Sequence, residues 1–321
     1  EQWEEGKTLI QVGPVNGVDL AGRALTVVTV IDRNMTFLID SIMGEISTAH
    51  RDISLAAHPV LNIQQTDAGA MKDIDLAVAG QSDEGWHKVS LVMVLLPRLS
   101  AEATRLLTAN LRKVLDHVHR AVSDWRTMLG KLDSVVAELQ SSGGSQHLAE
   151  REEALAFLEW LRNDNFTFLG MREYKFSGTG KDAKVERAEK TGLGILSDPE
   201  VRVLRQGSGH VTTTPELLAF LQGPDALIVT KANVRSLVHR RTYMDYVGVK
   251  RYDDTGRVTG ELRIVGLFTS TAYTRSVLNI PLLRSKAIAV VSSFGFDQES
   301  HSGKVLLYAL ESYPRDELFQ I

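Results

Sequence analysis

The 321-residue chain has no cysteine. Disulfides, thiolate metal sites and thiol nucleophiles are therefore excluded, and the composition suits a reducing compartment. No stretch approaches the roughly 20 consecutive apolar residues that span a bilayer. Glu1–Gly6 offers neither a basic flank nor an apolar h-region, so no secretory signal is visible. The expected location is cytoplasmic, with no membrane partner. Thirty-six basic and 40 acidic residues leave a net charge of −4, which argues against nucleic acid as a partner. Neither a Walker A sequence nor a G-x-S-x-G elbow occurs.

What is present is an ordinary globular composition, 43% hydrophobic, long enough for two domains. Ala24 to Ile31 is a nearly continuous β-branched apolar run, the pattern of a strand buried on both faces. Met35, Leu38, Ile39, Ile42, Met43 and Ile46 then recur at helical spacing, and Asn34 is read as the N-cap. Ile53, Leu55 and Ala57 alternate as in a strand, and Pro59 marks an edge or a bulge before Val60–Ile63. Thr66 to Gly85 reads as loop, Val89 to Leu96 as a third strand, and the chain from about Ser100 to Trp125 as a long amphipathic helix. Strand, helix, strand, strand, helix is most of a ferredoxin-like βαββαβ unit. No fourth strand is apparent.

Ser141–Ser145 has linker composition. Beyond a helix that ends at Asn163-Asp164-Asn165, the chain turns strand-rich, with Asp253-Asp254-Thr255-Gly256 as a hairpin turn between two long strands. Thr214-Pro215 opens a short helix. Two more helices follow Pro281 and Ser302. The fold class is α+β: an antiparallel sheet with flanking helices follows the first unit. The apolar end at Leu318–Ile321 reads as an interruption of a longer polypeptide.

Several motifs invite a functional reading. Asp32-Arg33-Asn34 stands where a strand feeds a helix N-terminus, so it is either a plain cap or an anion site on free amides, with Met35 alongside. Lys231, Arg235, His239, Arg240 and Arg241 form a basic run, suited to an anionic metabolite, to an acidic face of a partner domain, or to a solvated strand edge. Gly178-Thr179-Gly180 mimics a nucleotide turn, but Lys181–Lys190 lacks the apolar periodicity of the helix that turn needs. Gly207-Ser208-Gly209 lacks a third glycine. His117 and His119, two apart, face different sides of a helix, with no third ligand nearby; no metal site is read.

The chain resembles the large single-chain bacterial NAD-specific glutamate dehydrogenases. Leu25 to Ser41 and Ala57-His58-Pro59-Val60-Leu61 carry the resemblance in the first half. Phe157–Leu161, Asn165–Gly170, Arg172-Glu173-Tyr174, Arg275-Ser276, Ile280–Arg284 and Glu311–Phe319 carry it in the second. It covers nearly the whole chain. The resemblance implies an N-terminal extension at 1–14, an ACT-like domain at 15–140 and a linker at 141–146. It further implies a PAS-like domain at 147–280 and a helical segment at 281–321 leading to downstream domains. It implies a non-catalytic regulatory or assembly segment of an enzyme that deaminates L-glutamate with NAD, the NAD site lying outside this chain. No catalytic, cofactor or metal residue transfers to any position here. ACT units often bind amino acids at the first strand–helix turn, so Asp32, Asn34 and Met35 are the candidate effector site, although Asp32–Thr36 lacks the Pro-Gly of the usual motif. Arg235, Arg240 and Arg241 are candidates for an anion or partner contact. Expected partners are the other domains and subunits of the parent enzyme and an amino-acid effector. A stand-alone amino-acid sensor is the alternative.

Overall fold

The computed structural model describes residues 7–18, 22–49, 52–65, 71–76, 86–141, 148–177, 184–203, 223, 225–253 and 255–319. The chain divides into two compact units. One comprises Glu1–Val122 and returns for Leu237–Arg241; the other comprises Ser123–Ser236 and Thr242–Ile321.

The first unit is built on β1 (Leu9–Val18), β2 (Ala24–Arg33), α1 (Leu38–Ala49), β3 (Leu55–Ala57), β4 (Val60–Gln65), β5 (Met71–Leu76), β6 (Trp86–Pro97) and α2 (Ala101–Ser123). Its antiparallel sheet runs β1-β2-β6-β4-β5, with β3 also on β6. Side-chain alternation turns Val28 and Val30 of β2, and Val92, Val94 and Leu96 of β6, to one face. There they meet Leu38, Ile42 and Ile46 of α1 and Leu107, Leu111 and Leu115 of α2. Each such fully buried aliphatic side chain contributes roughly 1.5–3 kcal/mol.

Two sequence expectations change, and an alternative left open at Pro59 is decided. The absent fourth strand is β1, which begins in the supposed N-terminal extension and pairs with β2 between Ala24 and Ile31. In a βαββαβ unit that edge belongs to the last strand; here it is filled from upstream. Pro14 and the polar residues of β1 hide it from pattern reading, because an edge strand tolerates proline. The stretch Thr66–Gly85 is not all loop, since β5 forms a hairpin with β4. At Pro59 there is no bulge: β3 and β4 pair with β6 on one continuous register, Pro59 O accepts from Leu91 N at 3.0 Å, and β3 pairs with β6 alone, which fits the edge reading.

The second unit holds α3 (Trp125–Ser141), α4 (Leu148–Trp160), β7 (Phe166–Ser177), β8 (Lys184–Arg187), β9 (Leu193–Gly194), β10 (Leu227–Arg235), β11 (Tyr243–Tyr252) and β12 (Val258–Phe268). Four helices follow: α5 (Ser270–Thr274), α6 (Leu283–Ser293), α7 (His301–Glu311) and α8 (Arg315–Leu318). The sheet is antiparallel in the order β10-β11-β12-β7-β8, with β9 on β7. Val247, Val249, Leu262, Ile264 and Phe268 face a core shared with Leu132, Phe157, Leu158, Ala287 and Phe319. Between α4 and β7 the chain reverses at Asp164, whose φ of 58° is left-handed, and Asn165 Nδ2 donates to Trp160 O at 2.8 Å. The hairpin before β12 closes as expected, with Asp253 Oδ1 accepting from Thr255 N at 2.9 Å.

The domain boundary also moves. The sequence puts it at residues 141–146, but α3 belongs with the second unit because Met128, Leu132, Val135 and Leu139 enter that core. Residues 142–146, the glycine turns at 178–180 and 207–209, and the helix at Thr214 lie outside the described residues. Among the described residues, no helix is long and apolar enough to cross a membrane.

Candidate functional site

β2 delivers Asp32 to the end of the first unit's sheet. Its parity with Val28 and Val30 turns it inward, and it is 3% exposed. A buried carboxylate needs partners, and this one has three. Thr8 Oγ1 donates to Oδ2 at 2.6 Å, Arg33 N donates to Oδ1 at 2.7 Å, and His119 Nε2 lies 2.8 Å from Oδ2. The hydrogen bond to Asp32 raises the pKa of His119 above its ordinary value, although burial works the other way. One side chain thus ties β2, α2 and the residue just before β1 together.

Asn34 is not the cap of α1. The helix starts four residues later, after Phe37 at φ 68°, and Ser41 N donates to Phe37 O at 3.0 Å. Asn34 instead continues the β2–β6 ladder: its N donates to Lys88 O at 2.9 Å, and its Oδ1 accepts from Ser90 Oγ at 2.9 Å. Met35 packs against the core. The three expected effector residues share one turn, and each already has a place in the protein.

The five-residue return Leu237–Arg241 lies along α1. His239, at φ 62°, donates its N–H to Ser41 Oγ at 2.9 Å, while its Nδ1 sits 2.9 Å from Asp40 Oδ2 and its ring 5.2 Å from that of Phe37. Arg241 Nη2 donates to Glu45 Oε2 at 2.8 Å, and Asn110 Nδ2 supplies the other oxygen at 2.7 Å. Gly44 makes room, since a Cβ there would stand 3.2 Å from Arg241 Cγ. Two members of the basic run, His239 and Arg241, are thus engaged by acidic side chains of α1 in this chain. Arg235 instead caps the Tyr243 ring at 5.0 Å, and Arg240 lies in the same return as Arg241. Sequence reading missed Thr8, Ser90 and Glu45, and weighed His119 only as a metal ligand. The one signal was Asp32 itself, a charge at an inward position of an apolar strand.

The second unit has its own polar centre on the sheet face away from the core. Arg263 is buried with Glu261, which accepts from its Nε at 2.9 Å and from the Tyr246 hydroxyl; the guanidinium lies 3.7 Å from the Tyr174 ring centroid. Glu261 pairs across strands with Lys250, whose pKa burial lowers to about 8 and Asp225 partly restores. Lys231 bridges Asp245 at 2.6 Å and Asp316 at 2.5 Å; burial opposes its charge, and the two carboxylates outweigh it to raise its pKa. A cavity of about 530 Å³ lies among Glu150, Glu153, Asp225, Leu227, Lys286 and Phe319, a volume in the range of metabolite sites.

Comparison with known proteins finds two matching family models and several relatives. Residues 2–111 match the model of the glutamate dehydrogenase ACT1 domain, and residues 280–321 match glutamate dehydrogenase helical motif 1. NAD-specific glutamate dehydrogenase of Halomonas elongata is 34% identical over 305 residues, 92% of this chain and 18% of that protein. The Pseudomonas aeruginosa protein of the same name is 33% identical over 298 residues, again 92% and 18%. That of Mycobacterium tuberculosis is 28% identical over 267 residues, 82% and 15%. The chain thus carries glutamate dehydrogenase ACT1 and helical motif 1 matches and is similar over most of its length to NAD-specific glutamate dehydrogenases. It spans about 18% of the length of the first two relatives, and the ACT1 match coincides with the first unit's sheet and the start of α2.

Proposed function

We propose that this chain is a non-catalytic regulatory and assembly segment of an NAD-dependent glutamate dehydrogenase. The parent protein would convert L-glutamate, NAD and water to 2-oxoglutarate, ammonia and NADH in the cytoplasm. The ACT1 match over residues 2–111, in a chain spanning 18% of its relatives, carries the reading. Its partners would be the other domains and subunits of that enzyme. The antiparallel sheet with flanking helices in the second unit supports a PAS-like assignment for about 147–280. Calorimetric titration of the chain with NAD, and an assay for NADH formed from glutamate, test the proposal. No heat and no NADH are expected. Micromolar NAD binding or turnover by the chain alone would overturn it.

An amino-acid sensor is the second reading. It is favoured by the cavity between Glu150, Asp225 and Lys286, which offers both charge signs to a zwitterion. At the strand–helix turn, an amino acid would have to compete with Ser90 for Asn34. A thermal-shift screen of amino acids on wild type and Asn34→Ala distinguishes the two places. A shift lost in the variant points to the turn, and an equal shift in both points elsewhere.

A further inference from the structure

The segment from α6 through α7 buries only part of its apolar surface: Leu283, Ala287 and Val291 of α6 are buried and Leu307 and Leu310 of α7 pack against the core, while other large apolar side chains stay outside. Val305 to Leu310 of α7 reads VLLYAL, six apolar residues in succession. At about 100° per residue they encircle the helix, and a helix that is apolar all round belongs in a core. In α7 only Gly303 is buried, pressed on the Asp297 carbonyl where any Cβ would clash. Tyr308 is 79% exposed and Val305 55%. In the connection between α6 and α7, Phe294 is 65% exposed and stacks on Phe296, ring centroids 6.3 Å apart, and Ile288 of α6 is also exposed.

Scattered exposed apolar residues need no explanation, but a concentration of aromatic and branched side chains within one helical pair does. The six-residue run carries no charge, so a partner must meet it with apolar surface. Helix ridges pack best into the grooves of another helix. The family module matched here, over residues 280–321, is a helical motif, and more than four-fifths of the length of the first two relatives lies outside what this chain spans.

We propose that Phe294, Phe296, Val305 and Tyr308 form a docking surface for an apolar helix face from the remainder of the same glutamate dehydrogenase polypeptide. This rests on the chain being one segment of that larger protein. It adds where the larger protein holds the segment. Large aromatic side chains at the centre of such a contact supply most of its affinity.

Hydrogen exchange followed by mass spectrometry tests it, comparing this chain with the full-length parent protein. Amides of residues 301–311 should exchange at least about tenfold more slowly in the full-length protein. The double substitution Phe294→Asp and Tyr308→Asp in that protein should return them to the rate of the short chain. The same pair in the short chain should leave its Tm unchanged, because both side chains are exposed there. Equal exchange in the two wild-type proteins would overturn the proposal. So would a photo-crosslinker at position 308 that joins only to a second copy of residues 278–313. NADH production by the short chain would defeat the regulatory reading while leaving the exchange comparison intact, so the two can fail separately.

Discussion

His119 of α2 closes on Asp32 at the end of β2, Nε2 to Oδ2 at 2.8 Å. The pair joins a helix to a central strand, and Thr8, just before the edge strand, binds the same oxygen. Asp32 raises the folded-state pKa of His119 above 6.5, with Asp116 adding to that and burial and Arg33 opposing it. The contribution of His119 to stability is therefore complete below pH 6.5 and is lost as pH rises through the raised value. Urea unfolding at a series of pH values should show this loss, and His119→Gln should abolish it. An NMR titration should find the His119 pKa lowered in Asp32→Asn. An unchanged value would remove Asp32 as its cause.

Arg241 and Asn110 share the Glu45 carboxylate, which is 8% exposed. Arg241→Ala leaves one oxygen without its charged donor, at a cost of about 2 kcal/mol. Glu45→Gln in the same background should recover part of that, since the buried charge is then gone. Chemical denaturation of the two single variants and the double variant measures the coupling. Strict additivity would show that the contact contributes nothing.

Lys250 is buried, and its amine donates to Gly223 O at 2.6 Å. Its folded pKa of about 8 lies below the ordinary 10.5. Between these values the unfolded chain holds a proton that the folded chain has released, so this group makes stability rise with pH from about 8 to 10.5. Lys250→Met should flatten that rise. An identical slope in the variant would assign it to another group.

Removing residues 1–18 strips β1 from β2 and opens a ladder edge. An unpaired edge beside Val27, Thr29 and Ile31 is a template for intermolecular pairing. Light scattering after size exclusion should show a larger assembly or aggregate than the intact chain forms. The same mass for both would mean that β1 does not guard the edge.

The elements that read clearly were those whose own pattern suffices. Ala24–Ile31, Val89–Leu96, Leu38–Ile46 and the hairpin at Asp253 emerge where periodicity or turn chemistry predicts them. Asp32 was legible as a candidate because a charge interrupts an apolar strand. Its partners Thr8 and His119 were not, standing 24 and 87 residues away. Asn34 was misjudged as a cap because a short polar residue before a helical pattern looks the same whether or not the helix starts there.

Sequence alone determined the α+β class, the family resemblance and the lack of any thiol chemistry, since each rests on residue identity or local spacing. Tertiary structure decided that Leu9–Val18 is a strand, that α3 joins the second unit's core, and that Leu237–Arg241 returns to α1. In all three cases a segment with a weak local preference takes its state from a surface far along the chain. Backbone pairing, core burial and charge contacts that form only in the fold outweigh propensities of at most about 1 kcal/mol per residue.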